Sequence, residues 1–104
     1  MIVEERVYTL HPGKLKEYMT RFERDGSEIY LSSLKNVVGV FTTEVGTLNQ
    51  VVTIAAYSSF EERLEQRGAM KELPAWRKYA ESVQPFIRTQ ENRILLPATF
   101  SPIR

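Results

Sequence analysis

The sequence predicts an α+β fold, a four-stranded antiparallel sheet with its helices on one face, and three observations predict it. Strand-like alternation occurs in four stretches, and apolar residues recur at helical spacing in two regions between them. Two of the strand-like stretches are neighbours, joined by the short connection Val45-Gly46-Thr47-Leu48-Asn49. One helical region precedes this pair and one follows it. The order is therefore β-α-β-β-α-β, which with right-handed crossovers is the ferredoxin-like plait.

Ile2 to Leu10 opens the chain as a strand rich in β-branched and aromatic residues. Its two sides are Val3, Glu5, Val7 and Thr9 against Ile2, Glu4, Arg6, Tyr8 and Leu10. His11-Pro12-Gly13 breaks the extended run, and Leu15, Tyr18, Met19 and Phe22 then recur at i, i+3, i+4 and i+7, a helix stripe. Ile29, Tyr30 and Leu34 continue that stripe past Gly26, carrying the helix to about Ser33. Val37 to Glu44 and Gln50 to Tyr57 follow as a hairpin. Ser59 and Glu62 have capping-box spacing for the next helix, on which Phe60 and Leu64 are expected to face inward. Pro74 suits the first position of a further helix, whose buried stripe is Trp76, Tyr79, Ala80 and Val83. Pro85 ends it, and Ile87 to Leu96 is the final strand, with a strongly polar middle.

The 104 residues read as a single domain, because no composition shift or linker divides them. Fourteen basic and thirteen acidic residues are interleaved and leave a net charge of +1, without the concentrated basic footprint of a nucleic-acid or anionic-membrane partner. No apolar stretch approaches the roughly 20 residues of a membrane span. Glu4, Glu5 and Arg6 interrupt any signal-like core, so a cytoplasmic location is expected. The absence of cysteine excludes disulfides, thiolate zinc sites and a nucleophilic thiol. No metal-ligand spacing is visible, no phosphate-cradling loop accompanies Gly39 or Gly46, and no cofactor is expected. His11 reads as a turn residue and Ser58-Ser59 as a helix cap with no base at nucleophile spacing.

A sheet with helices on one face leaves the other bare, and its valines, Phe41 and Ile54 are too dense for both faces to be solvated. A second copy laid face to face covers them, so a homodimer or a multiple of it is expected. Polar side chains pointing inward then become informative, since a buried charge needs a partner or a ligand. Glu4, Arg6 and Tyr8 share one side of the first strand, Glu91 and Arg93 one side of the last, and Thr43 and Thr53 lie in the central hairpin. Two readings compete. In one they converge on a ligand pocket between the two sheets. In the other, Glu4 with Arg6 and Glu91 with Arg93 form ion pairs at the dimer seam.

Three motifs in order resemble the NIPSNAP family over nearly the whole chain. They are Glu4 to Leu10 with Pro12-Gly13-Lys14, the hairpin segment Gly39 to Val52, and Gln90 to Leu95 with Phe100-Ser101-Pro102. The resemblance implies a dimeric α+β barrel and supplies no established reaction. Many relatives carry His and Trp in the third strand where this chain has Thr53 and Ala55, which implies a roomier chamber. The function expected is a homodimeric small-molecule-binding or scaffold protein. The alternative is a cofactor-free oxygenase or isomerase acting on an apolar or aromatic compound. There Glu4, Arg6, Tyr8 and Arg93 would orient an anionic substrate, and Glu91 would serve as base.

Overall fold

A computed structural model describes residues 1–104. The strands β1 (Ile2–Leu10), β2 (Val37–Thr42), β3 (Gln50–Tyr57) and β4 (Ile87–Leu95) form one antiparallel sheet in the order β2-β3-β1-β4, which is the ferredoxin-like arrangement. The shortest dimension is 19 Å, one sheet layer plus one helix layer. Pairing in the sheet fixes which side chains share a face. Glu4, Arg6 and Tyr8 stand opposite Ala55, Thr53 and Val51 of β3, and opposite Ile94, Asn92 and Gln90 of β4. This set faces the helices with Ile2 and Leu10, and its apolar members Tyr8, Val51, Ala55 and Ile94 pack with those two in the core. The other face carries Val3, Glu5 and Val7 beside Ile54, Val52, Arg93 and Glu91.

The hairpin connection is longer than expected. β2 stops at Thr42, and residues 43–49 turn the chain, with Gly46 at φ +124° and Asn49 at φ +62°, a left-handed conformation that Asn tolerates. On the face away from the helices, the Phe41 ring lies across Gly39, where a Cβ would come within 2.5 Å of it.

The first helical region runs unbroken from α1 (Leu15–Arg21) through one π-helical turn (Phe22–Gly26) into α2 (Ser27–Ser33). Its buried residues are Tyr18, Phe22, Gly26 and Tyr30, a strict four-residue repeat. In a regular helix that repeat drifts about 40° per step. The wider π turn, closed by Ser27 N donating to Phe22 O, takes up the drift and keeps the stripe aimed at the sheet. Gly26 is there because Tyr79 is against it, at 2.8 Å from where its Cβ would be.

The helix α3 (Phe60–Glu72) starts at a capping box: Glu62 N donates to Ser59 Oγ at 3.1 Å, and the Glu62 carboxylate reaches back to accept from Ser58 N. Its orientation corrects the expectation from sequence. Phe60 and Leu64 are 58% and 72% exposed, while Gln66, Arg67 and Met70 are buried. Arg63 and Arg67, one turn apart, both reach the buried carboxylate of Glu4, and leaving that charge unpaired would cost more than exposing two apolar side chains. The helix α4 (Pro74–Val83) begins with proline and buries Tyr79 and Val83, as its stripe predicts.

Candidate functional site

The sheet and helices do not close completely. A cavity of about 210 Å³ remains between them, floored by Arg6, Tyr8, Thr53, Ile87 and Gln90 of the sheet. Tyr18, Phe22 and Tyr30 of the first helical region and Trp76, Tyr79 and Val83 of α4 roof it, and Arg67 enters from α3. The rings brace one another. Phe22 meets Tyr30 edge-on at 5.6 Å, Trp76 stacks on Tyr30 at 6.3 Å, and Trp76 and Tyr79 lie 5.1 Å apart.

At one end of the cavity lies a charge cluster. Glu4 is 1% exposed. Its Oε2 accepts from Arg63 Nη2 at 2.6 Å, Asn92 Nδ2 at 2.9 Å and Arg6 Nη1 at 3.4 Å, and Arg67 Nη1 stands 3.9 Å from Oε1. Burial pushes the Glu4 carboxyl up, but hydrogen bonds from Arg63 and Asn92 and the charges of Arg6 and Arg67 outweigh it, so its pKa falls below the ordinary glutamate value. Arg6 also donates to Tyr8 Oη at 2.9 Å. Burial pushes the Tyr18 phenol up to about 12 and raises Tyr30 as well. Burial, then the neighbouring Tyr18, raises Tyr79 further. These phenols are therefore neutral at physiological pH, and the Tyr79 hydroxyl is buried beside that of Tyr18. No group of three or more His, Cys, Asp or Glu side chains converges anywhere in the structure.

The predicted site residues separate into two sets. Glu4, Arg6, Tyr8 and Thr53 come together on the helix side of the sheet. Glu91 and Arg93 lie on the opposite face, where Arg93 Nε donates to Glu5 Oε1 at 2.9 Å. Thr43 sits past the end of β2 and lines no part of the cavity. This cavity is beneath the molecule's own helices, whereas Glu91 and Arg93 lie on the sheet face expected to meet a second copy, so Glu91 does not stand beside Arg6. Sequence reasoning passed over Arg63, Arg67 and Asn92. The signal for the arginines was their i, i+4 spacing on a helix with few apolar residues. Trp76 and Tyr79 were read as core, which they are, but core that roofs a cavity.

The NIPSNAP family profile matches residues 3–102. The chain belongs to the NIPSNAP family. Protein NipSnap homolog 1 of Danio rerio is 32% identical over 103 residues, covering 99% of this chain and 36% of that protein. The chain thus spans about a third of the length of the curated relatives it matches first. A crystal structure of a NIPSNAP family protein from Agrobacterium tumefaciens superposes with a TM-score of 0.95 at 40% identity, covering 99% of this chain and 98% of that one. A second from the same organism, described as of unknown function, gives 0.94 at 36% identity over 100% of this chain and 94% of that one. A putative antibiotic biosynthesis monooxygenase from Nitrosomonas europaea shares the fold alone, at a TM-score of 0.68 and 11% identity, covering 93% and 98% of the two chains. These NIPSNAP relatives bring no stated activity to the chain, and its function has to be argued from its own cavity.

Proposed function

We propose that this NIPSNAP protein is a small-molecule-binding protein, and that its site is the cavity between the sheet and the helices. One observation carries the reading: an aromatic-walled space of about 210 Å³ ends at a part-buried guanidinium cluster, with Arg6 and Arg67 in its lining. Apolar walls with a few fixed polar groups are how small-molecule sites are built. The test is a screen of small organic compounds followed by the emission of Trp76, the only tryptophan. Hits are expected to disappear in Ala80→Leu, which fills the cavity from α4. Hits that bind the filled variant equally well would move the site elsewhere.

The protein acts as a homodimer in this reading. The sheet face away from the helices shows Phe41 at 49% and Leu95 at 38% exposure, and the C-terminal arm shows Leu96 at 77% and Phe100 at 87%. So much apolar surface around one sheet face suits a second copy, and the fold likeness to the barrel-forming monooxygenase type supports the same arrangement. Sedimentation equilibrium tests it, with a monomer mass as the contrary result.

A second reading, a cofactor-free oxygenase or isomerase on an aromatic compound, is favoured by the Tyr79 phenol. A neutral phenol in the wall of the cavity is a candidate donor to an oxyanion that develops during reaction. Turnover of a bound compound, lost in Tyr79→Phe with binding retained, distinguishes it from binding alone.

A further inference from the structure

We infer that the ligand of this cavity is a small planar anion, its charged end held by Arg6 and Arg67 and its ring by Tyr30, Phe22 and Trp76. The inference rests on the reading that the cavity binds a small molecule, and it names the class.

Three guanidiniums, Arg6, Arg63 and Arg67, surround a single carboxylate, Glu4, so the cluster carries an excess of two positive charges. Arg63, at 2.6 Å, is the partner that neutralises Glu4. The other two stand further off, at 3.4 and 3.9 Å, and they are the two that line the cavity. No aspartate or glutamate lines it with them. Arg67 is 9% exposed, and the Glu4 contact at 3.9 Å is its one ion pair, longer than a hydrogen bond. An anion delivered by a ligand supplies that guanidinium, which faces the cavity, with an acceptor for charge-assisted hydrogen bonds.

Size and shape narrow the class. An apolar cavity of roughly 150 Å³ holds one benzene ring. The space here is about 210 Å³, which accommodates a ring with a carboxylate or an enolate oxygen beside it. Tyr30 and Trp76 are within 24° of parallel, an arrangement suited to a flat neighbour.

Benzoate and benzamide are the matched probes, equal in shape and different in charge. Both are titrated into the full chain with Trp76 emission as readout and calorimetry as a check. Benzoate is expected to bind on the order of tenfold more tightly than benzamide or better, the range of one charge-assisted hydrogen bond. In Arg67→Gln that preference should fall to about twofold, through loss of benzoate binding while benzamide binding stays as it was; Arg67→Lys should keep a reduced preference. Equal binding of the two probes to the wild type overturns the anion assignment while leaving the cavity a binding site. Binding of neither overturns the assignment, and the Ala80→Leu comparison on other screened compounds then decides the binding reading separately. A preference unchanged in Arg67→Gln also overturns it. The wild-type comparison stands even if the glutamine variant does not fold.

Discussion

Glu4→Gln removes one charge from the interior and keeps the side chain's shape, so it isolates what the carboxylate does. At 2.6 Å and an effective dielectric of about 20, the attraction between Glu4 and Arg63 is on the order of 6 kcal/mol before the cost of desolvating both groups. Breaking a buried pair by changing one partner typically costs about 3–5 kcal/mol. Here the arginines keep some solvent contact, Arg63 with 24% and Arg6 with 22% of their side chains exposed, so the lower end, about 3 kcal/mol, is expected. For a domain of this size that lowers Tm by roughly 12–24 °C. The assay is urea unfolding of wild type and variant at equal protomer concentration, since an oligomer's stability depends on concentration. The sign with pH follows from the lowered pKa. Glu4 holds its charge in the folded protein below the pH at which the unfolded chain takes up a proton, so its contribution is full above the unfolded value near 4.5 and is lost as pH falls through the folded value. The gap between the two proteins should therefore shrink on acidification below that point. A variant within about 0.5 kcal/mol of wild type at neutral pH, the range of an ordinary surface change, would refute the central place given to Glu4.

Four further outcomes are expected. Gly26→Ala, although it raises helix propensity by up to about 1 kcal/mol, should destabilise by about 1–2 kcal/mol because its Cβ meets the buried Tyr79 ring; a stabilised variant in urea unfolding contradicts this. Ser59→Ala should cost about 1 kcal/mol and Ser59→Gly only a few tenths, and equal losses would mean the hydroxyl does not cap α3. Tyr18 holds its proton to about pH 12 when folded and to about 10 when unfolded, so stability is full below pH 10 and falls by about 1.4 kcal/mol per unit toward 12; tyrosinate absorbance and denaturant unfolding across that window check it, and a flat profile contradicts it. Phe41→Lys should lower the sedimenting mass toward the monomer while circular dichroism stays unchanged, whereas an unaltered mass places the dimer seam elsewhere.

Much of the fold was legible because the sheet obeys a period of two. The alternation in Ile2 to Leu10 correctly grouped Glu4, Arg6 and Tyr8, and the hairpin placed Thr53 near them. The alternation could not say which side the helices cover, since both sides of β1 mix apolar and charged residues, and the register of β4 cannot be read from β4 alone. That register, with Val7 opposite Glu91 and Glu5 opposite Arg93, sends the two residues to the face away from the cavity. The inward face of α3 was illegible for a different reason. Two of its apolar residues, Phe60 and Leu64, are exposed while Met70 is buried, and its orientation is set with Glu4, a residue nearly 60 positions from Arg63. The π turn left a trace in the sequence, the repeat of Tyr18, Phe22, Gly26 and Tyr30, but its meaning depends on Tyr79 lying against Gly26. A cavity is what remains when such contacts fail to fill space, and no local pattern records that.

The most direct test of a ligand-binding chamber is the native mass of the purified protein beside that of Ala80→Leu, since one spectrum reports both subunit count and bound compounds. The expected result is a dimer carrying one small adduct per subunit in the wild type and a bare dimer in the filled variant. A wild-type mass equal to the bare polypeptide, unchanged when benzoate or screened compounds are added, would contradict it.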